Sequence, residues 1–190
     1  MRKQTDSPAA PASVHQLKVT LDGVQPPIWR RLLVRSDATL ARLHDVIQVA
    51  MGWEDCHLHL FEAARVTYSA RGFLDDLDIV DEGISRLDQV APRKGSKLRY
   101  EYDMGDSWSH KVVVEAILAP GADVRTPVCL DGVRAGPPED CGGVWGYANL
   151  LEVLSNPSDP EYEEMLEWAG LFDPEAFDRE AVNKRLAKLR

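Results

Sequence analysis

Cysteine is scarce in this chain: Cys56, Cys129 and Cys141 are the only three, and no two have Cys-x-x-Cys spacing. That is too few for a disulfide scaffold and the wrong pattern for a paired-thiol redox centre, so reduced thiols are expected. Apolar runs are short as well. None approaches membrane-spanning length, and Met1–Ser13 has early basic residues but no apolar stretch of signal-peptide length. A soluble, cytoplasmic protein with no membrane partner is the expectation. Also missing are an internal repeat, heptads long enough for a coiled coil, and a Gly-rich phosphate loop after a strand. No nucleophile has an evident base beside it, which argues against an enzyme more than for one.

What is present suits one ordinary globular domain. The chain has 190 residues, 44% hydrophobic and 28% charged, enough to bury a real core. Residues 1–13, rich in Ser, Pro and Ala, read as a disordered tail, and residues 14–190 as a single domain. The formal charge of -9 is unevenly spread, with +1 over residues 1–60 and -7 over residues 139–190. An acidic C-terminal third repels a phosphate backbone and so disfavours nucleic acid as a partner there. A basic patch could still arise from Arg30, Arg31, Arg35 and Arg42, or from Arg93, Lys94, Lys97 and Arg99.

Hydrophobic periodicity divides the chain. Val14–Leu21 and Ile28–Arg35 alternate roughly and flank the turn-rich Asp22–Pro27, which predicts an antiparallel pair. From Thr39 the spacing becomes helical through Leu40, Leu43, Ile47 and Met51, with Asp37 or Thr39 as N-cap and Gly52 as the stop. His57-Leu-His-Leu-Phe61 reads as a strand with His57, His59 and Phe61 on one face. Residues 70–95 are acidic and loop-like, with a short helix over Ile84–Val90. Lys97–Asp103 and Trp108–Leu118 make the clearest hairpin. Pro120–Gly143 is expected to be irregular. Helices follow over Gly146–Ser155 and after Asp159-Pro160 and Asp173-Pro174, with Phe177, Val182, Leu186 and Leu189 buried in the last.

Two segments carry the chemistry: Tyr102-Asp-Met-Gly-Asp-Ser-Trp-Ser-His110 and Pro137-Pro-Glu-Asp-Cys-Gly-Gly-Val-Trp-Gly-Tyr147. Glycine turns among carboxylates, an imidazole, a thiol and aromatics suit a fixed polar surface. The ligand-binding candidates are Asp103, Asp106, Trp108, His110, Glu139, Asp140, Trp145 and Tyr147, although core packing is the ordinary role of the aromatics. A metal version, with zinc as the cofactor, uses His110, Cys129 and Cys141. A thiol version makes Cys141 a nucleophile assisted by His110. His57 and His59 could bind metal as an i, i+2 pair, but without a third ligand in sequence they read as a sheet-surface pair. His44, on the apolar helix face, reads as a buried, hydrogen-bonded imidazole.

These segments, together with Pro27-Ile-Trp-Arg-Arg31, Leu43–Gln48, Met51-Gly-Trp53, His57-Leu-His59 and Phe172–Phe177, resemble the plasmid pRiA4b ORF-3-like family of bacterial proteins. The similarity runs from about Val14 to Leu189. It implies an α+β fold of the roll type, a mostly antiparallel sheet packed against helices, with a helical C-terminal region. It implies no activity. Some relatives carry a transposon-resolvase label, yet neither a serine- nor a tyrosine-recombinase pattern is present here. Similar proteins commonly have Ala-Cys-Pro-Pro-Glu-Asp-Cys-Gly-Gly, whereas Gly136 replaces the first of those cysteines. The residues themselves, aromatics beside glycine and polar turns, are read as a non-enzymatic accessory module that binds a protein or small molecule, and the family's association with plasmids or mobile elements is contextual. The alternatives are a metal-dependent or thiol enzyme and a DNA-binding accessory factor.

Overall fold

The computed structural model describes residues 12–72, 79–119 and 126–189. Residues 1–11 of the expected tail lie outside that range. In chain order the elements are β1 (Val14–Leu21), β2 (Trp29–Arg35), α1 (Leu40–Met51), β3 (His59–Ala63), β4 (Val66–Ser69), β5 (Ile79–Asp81) and α2 (Leu87–Val90). They continue with β6 (Lys97–Tyr102), β7 (Trp108–Leu118), β8 (Val128–Val133), α3 (Gly143–Leu154), α4 (Tyr162–Ala169) and α5 (Arg179–Leu186). The eight strands form one sheet in the order β5-β4-β3-β6-β7-β1-β2-β8, antiparallel except for the β4–β5 pair. The fold is α+β.

Local signals explain the elements that position the site. Thr39 caps α1, its hydroxyl accepting from the Arg42 N–H, and Gly52 ends the helix at φ +98. Along β6, Leu98, Tyr100 and Tyr102 are buried while Lys97 and Arg99 are exposed. Along β7, Trp108, His110, Val112 and Val114 are buried in the same rhythm. Because side chains alternate across a strand, these residues share one face and form a common core with Leu40, Leu43 and Ile47 of α1. Each such aliphatic side chain contributes roughly 1.5–3 kcal/mol by leaving water.

Three expectations are corrected. Pro120–Gly143 is not wholly irregular, since β8 pairs with β2, placing Cys129 opposite Leu32. Its short, Gly-interrupted sequence is a weak strand signal, and a distant residue holds it: the Asn183 side chain of α5 brackets Cys129, accepting from its N–H at 2.7 Å and donating to its carbonyl at 2.9 Å. The loop-like stretch 70–95 contains β5, and its helix is only Leu87–Val90. Asp173 accepts from the Glu175 N–H in an isolated turn, and α5 starts later, where Asp178 accepts from the Ala181 N–H.

Candidate functional site

The hairpin turn after Tyr102 packs tightly on the loop before α3. Asp106 accepts from the Gly142 N–H at 3.1 Å, and a Cβ on Gly143 would lie 2.5 Å from the Asp106 carbonyl oxygen. The two segments singled out in the sequence therefore meet, and His57, just ahead of β3, lies between them. Its Nε2 is 3.0 Å from Asp140 Oδ1, 3.6 Å from Asp103 Oδ2 and 3.9 Å from Glu139 Oε2. Although the His57 side chain is partly exposed, Nε2 itself is buried and makes no hydrogen bond. The Asp140 oxygen is at hydrogen-bond distance from Nε2 without forming a hydrogen bond.

Two of the three carboxylates, Asp103 and Glu139, are fixed from behind. Asp103 Oδ1 accepts from the N–H groups of Gly105 and Asp106 at 2.8 and 3.2 Å, which leaves Oδ2 to face His57. Glu139 Oε1 accepts from the Glu54 N–H at 2.9 Å and from the Tyr102 hydroxyl at 3.1 Å. Burial pushes that phenol well up, so it remains a donor. Asp103 and Asp140 both have φ +57, a left-handed conformation that aspartate tolerates better than most residues. Cys56 stands at the edge. Its thiol, His57 and Glu139 also bring one ligand atom each to within 4.8 Å of one another.

Trp108 and His110, two of the expected ligand-binding residues, are fully buried, and Tyr147 is 1% exposed. They support the surface rather than form it, because the alternation of β7 and the buried side of α3 turn them inward. His110 Nδ1 faces the Trp108 carbonyl at 3.0 Å, and burial pushes the imidazole down to about 4. Trp145 is exposed. Asp103, Glu139 and Asp140 are brought together, and Asp106 anchors the Gly142 backbone.

The proposed metal set of His110, Cys129 and Cys141 does not converge. Among the described residues, the groups whose ligand atoms gather are His44–Asp55–His59, Cys56–His57–Glu139 and His57–Asp103–Asp140. Cys129 is on β8, three strands from the β7 strand of His110. At a strand spacing of about 4.8 Å, that separation is roughly 14 Å. Burial and Asp106 push the Cys141 thiol up to about 12, and no hydrogen bond joins it to His110 among the described residues. Arg30 is unavailable to a phosphate: buried, it donates to the carbonyls of Ala50, Trp29 and Val133 and stacks on Phe177. Arg31, Arg35, Arg42 and Arg99 all pair with carboxylates.

The family described as plasmid pRiA4b ORF-3-like protein matches residues 13–181. This chain belongs to that family. The uncharacterized protein y4hQ of Sinorhizobium fredii is 38% identical over 176 residues, covering 90% of this chain and 87% of the relative. A crystal structure of a protein of unknown function from Methanosarcina mazei superposes with a TM-score of 0.81 at 40% identity, covering 89% of this chain and 97% of that one. The family's roll-like fold is therefore the fold of this chain. Among the described residues no helix is long and apolar enough to cross a membrane.

The centre of the site lies outside the two chemistry-bearing segments: in sequence His57 reads only as half of an i, i+2 pair with His59, and Cys56 belongs to neither segment. The signal that could have found them is local: Glu54-Asp-Cys-His57 concentrates ligand-type side chains between a helix stop and a strand.

Proposed function

We propose that this member of the family is a non-enzymatic binding module whose ligand is a divalent metal ion of the zinc class, held by His57, Asp103 and Asp140 with Glu139 behind them. One observation carries this reading. Nε2 of His57 is buried, makes no hydrogen bond and is ringed by three carboxylates. A protonated imidazole would offset one of three negative charges, and a divalent ion offsets two. The nitrogen-to-oxygen separations of 3.0, 3.6 and 3.9 Å also suit an ion. Ligands about 2.1 Å from a tetrahedral centre are roughly 3.4 Å apart. Imidazole with carboxylate is a donor set for zinc, manganese or iron, and the nearby Cys56 thiol favours zinc.

The accessory role is expected inside the cell, and its plasmid or mobile-element context rests on the family description. A metal-dependent enzyme is the second reading. It is favoured by a groove of about 490 Å³ that shares Glu139 with the site and is walled by Trp53, Pro137, Phe172 and Phe177. An organic ligand could enter there beside the ion.

The test is calorimetric titration of metal-stripped protein with Zn²⁺, comparing wild type with His57→Ala and Asp103→Asn. His57→Ala is expected to lose one equivalent and Asp103→Asn to weaken the same equivalent at least tenfold. Identical stoichiometry and affinity in all three proteins would sink the reading.

A further inference from the structure

The groove that Glu139 shares with the His57 site has in its wall a positive charge that the chain does not balance. Arg30 lines it and is 2% exposed. Arg31, next in sequence, pairs with Glu115 and Asp131, whereas among the described residues no carboxylate lies within ion-pair distance of Arg30. Burial pushes its guanidinium down to about 10, and the charged groups nearest it are Cys129 and Arg185. Cys129 is not a counter-ion. Its thiol donates to the Asp131 carbonyl at 3.3 Å, and burial pushes it up, so it keeps its proton. Arg185 lines the same groove and adds a second positive charge. The groove's carboxylates are engaged elsewhere, Glu139 by the Glu54 N–H and the Tyr102 hydroxyl, Asp178 by the Ala181 N–H at the start of α5.

The hydrogen bonds of Arg30 leave donors over. A guanidinium has five N–H bonds. Nε donates to the Ala50 carbonyl at 2.8 Å, and Nη1 to those of Trp29 and Val133 at 2.9 Å each, which uses three. The two on Nη2 have no acceptor among the described residues. Unlike the sealed ring nitrogens of Trp108 and His110, Nη2 is not closed off from the groove. The Phe177 ring covers one face of the guanidinium, 4.3 Å from Cζ to the ring centroid, so an acceptor must reach it along its edge. We propose that the groove binds a small apolar carboxylic acid, with its carboxylate on Arg30 Nη2 in the field of Arg185 and its hydrocarbon part against Trp53, Pro137 and Phe172.

The burial that closes Arg30 to a nucleic-acid backbone selects for this class of ligand. Two spare donors and one uncompensated charge match a monoanion, and a phosphate dianion would bring more charge and more oxygens than the apolar walls satisfy. The volume of about 490 Å³ is in the range of small-molecule sites. Its walls are preformed. Trp53 Nε1 donates to the Pro137 carbonyl at 2.9 Å, and a Cβ on Gly136 would lie 2.2 Å from the Met51 carbonyl oxygen, so the loop is held against the end of α1 by a close approach that glycine permits. At the rim Leu171 is fully exposed, which gives an apolar ligand further surface to cover. The site stands apart from the ion at His57: Glu139 borders both, but Arg30 is held by backbone carbonyls.

The competing account makes Arg30 a structural clasp that joins α1, β2 and β8 through three carbonyls, and it predicts no preference for an anion. The test is calorimetric titration of metal-free, full-length protein with 3-phenylpropionate and with its neutral isostere 3-phenylpropionamide. The expected result is one equivalent of the acid, bound about tenfold or more tightly than the amide, as loss of a charge-assisted hydrogen bond implies. Arginine side-chain NMR of the wild type supplies a readout that needs no variant: the Arg30 resonances shift with the acid and not with the amide. Arg185→Gln changes an exposed side chain and is expected to weaken the acid about threefold while leaving the amide unchanged. Arg30→Lys, its fold checked by circular dichroism, keeps the charge, gives up the Nη2 donors and is expected to lose the preference for the acid. No binding of the acid to wild type, equal affinities for acid and amide, or binding that leaves the Arg30 resonances unmoved would overturn the proposal. Acid binding that persists in metal-free His57→Ala protein supports this site whatever becomes of the ion, and acid binding that His57→Ala abolishes would place the acid at the His57 cluster and overturn it.

Discussion

His57 and His110 adjoin the same group of aromatics, yet their surroundings are opposite. His110 packs 5.3 Å from Trp53 and from Tyr100, centroid to centroid, fully buried and far from the carboxylate ring. His57 packs 5.8 Å from Tyr102, with three carboxylates around one nitrogen. The motif that runs from Tyr102 to His110 serves both environments, because strand alternation and the turn send Asp103 toward His57 and Trp108 and His110 into the core. A motif is thus not a site. Chemistry collects where charges converge across segments, while the motif's most conspicuous side chains hold the platform.

The largest expected effect breaks the platform. Trp108 is among the largest fully buried side chains. Trp108→Ala should destabilise by about 3–5 kcal/mol through lost burial and the cavity left behind. Urea denaturation measures this, and metal affinity of the remaining folded protein should change little if platform and site are as separate as described. A loss under about 1 kcal/mol would mean that the indole is not part of a close-packed core.

Acid tests the platform next, through His110. Burial lowers His110 from its ordinary 6.5 to about 4 in the folded chain. Between those values the unfolded chain binds a proton that the folded chain does not. Stability is therefore unaffected by this residue above pH 6.5 and falls as pH drops toward 4. The shift corresponds to about 3 kcal/mol across that window. His44, lowered by burial and then by His59, acts in the same direction. His110→Gln keeps every other titrating group, so a flatter stability curve between pH 6.5 and 4 isolates His110. Parallel curves for the two proteins would show that its proton equilibrium does not change on folding.

How much of this was legible in sequence follows from the range of each interaction. α1, with Thr39 and Gly52 at its ends, and the β6–β7 hairpin were readable because caps, periodicity and a short turn are local. β8 was not, since it depends on Asn183 more than fifty residues away, nor was the parallel pairing of β4 and β5. Within the site, Asp103, Glu139 and Asp140 were readable from turn-rich segments. The role of His57 and the pairing of His44 with His59 were not: sequence showed an i, i+2 pair on a strand, whereas the fold divides that pair between two clusters. The set of His110, Cys129 and Cys141 failed for the same reason, as nearness along the chain says nothing about strand order.

The smallest expected effect tests whether platform and site communicate through the contact between the hairpin turn and the loop before α3. Gly143 opens α3 at φ +66, where a Cβ would meet the Asp106 carbonyl oxygen at 2.5 Å. Gly143→Ala imposes a left-handed conformation on an L residue, about 1–2 kcal/mol, and pushes the hairpin turn away from the loop. Asp106 would then lose its hold on the Gly142 N–H, and Asp140, two residues earlier, would move relative to Asp103. The expected outcome is a modest fall in melting temperature with a disproportionate loss of the metal equivalent at His57. Thermal melts with and without Zn²⁺ measure both, because a bound ion raises the melting temperature only while it favours the folded chain. Undisturbed binding at His57 would show that the turn and the loop do not set its geometry.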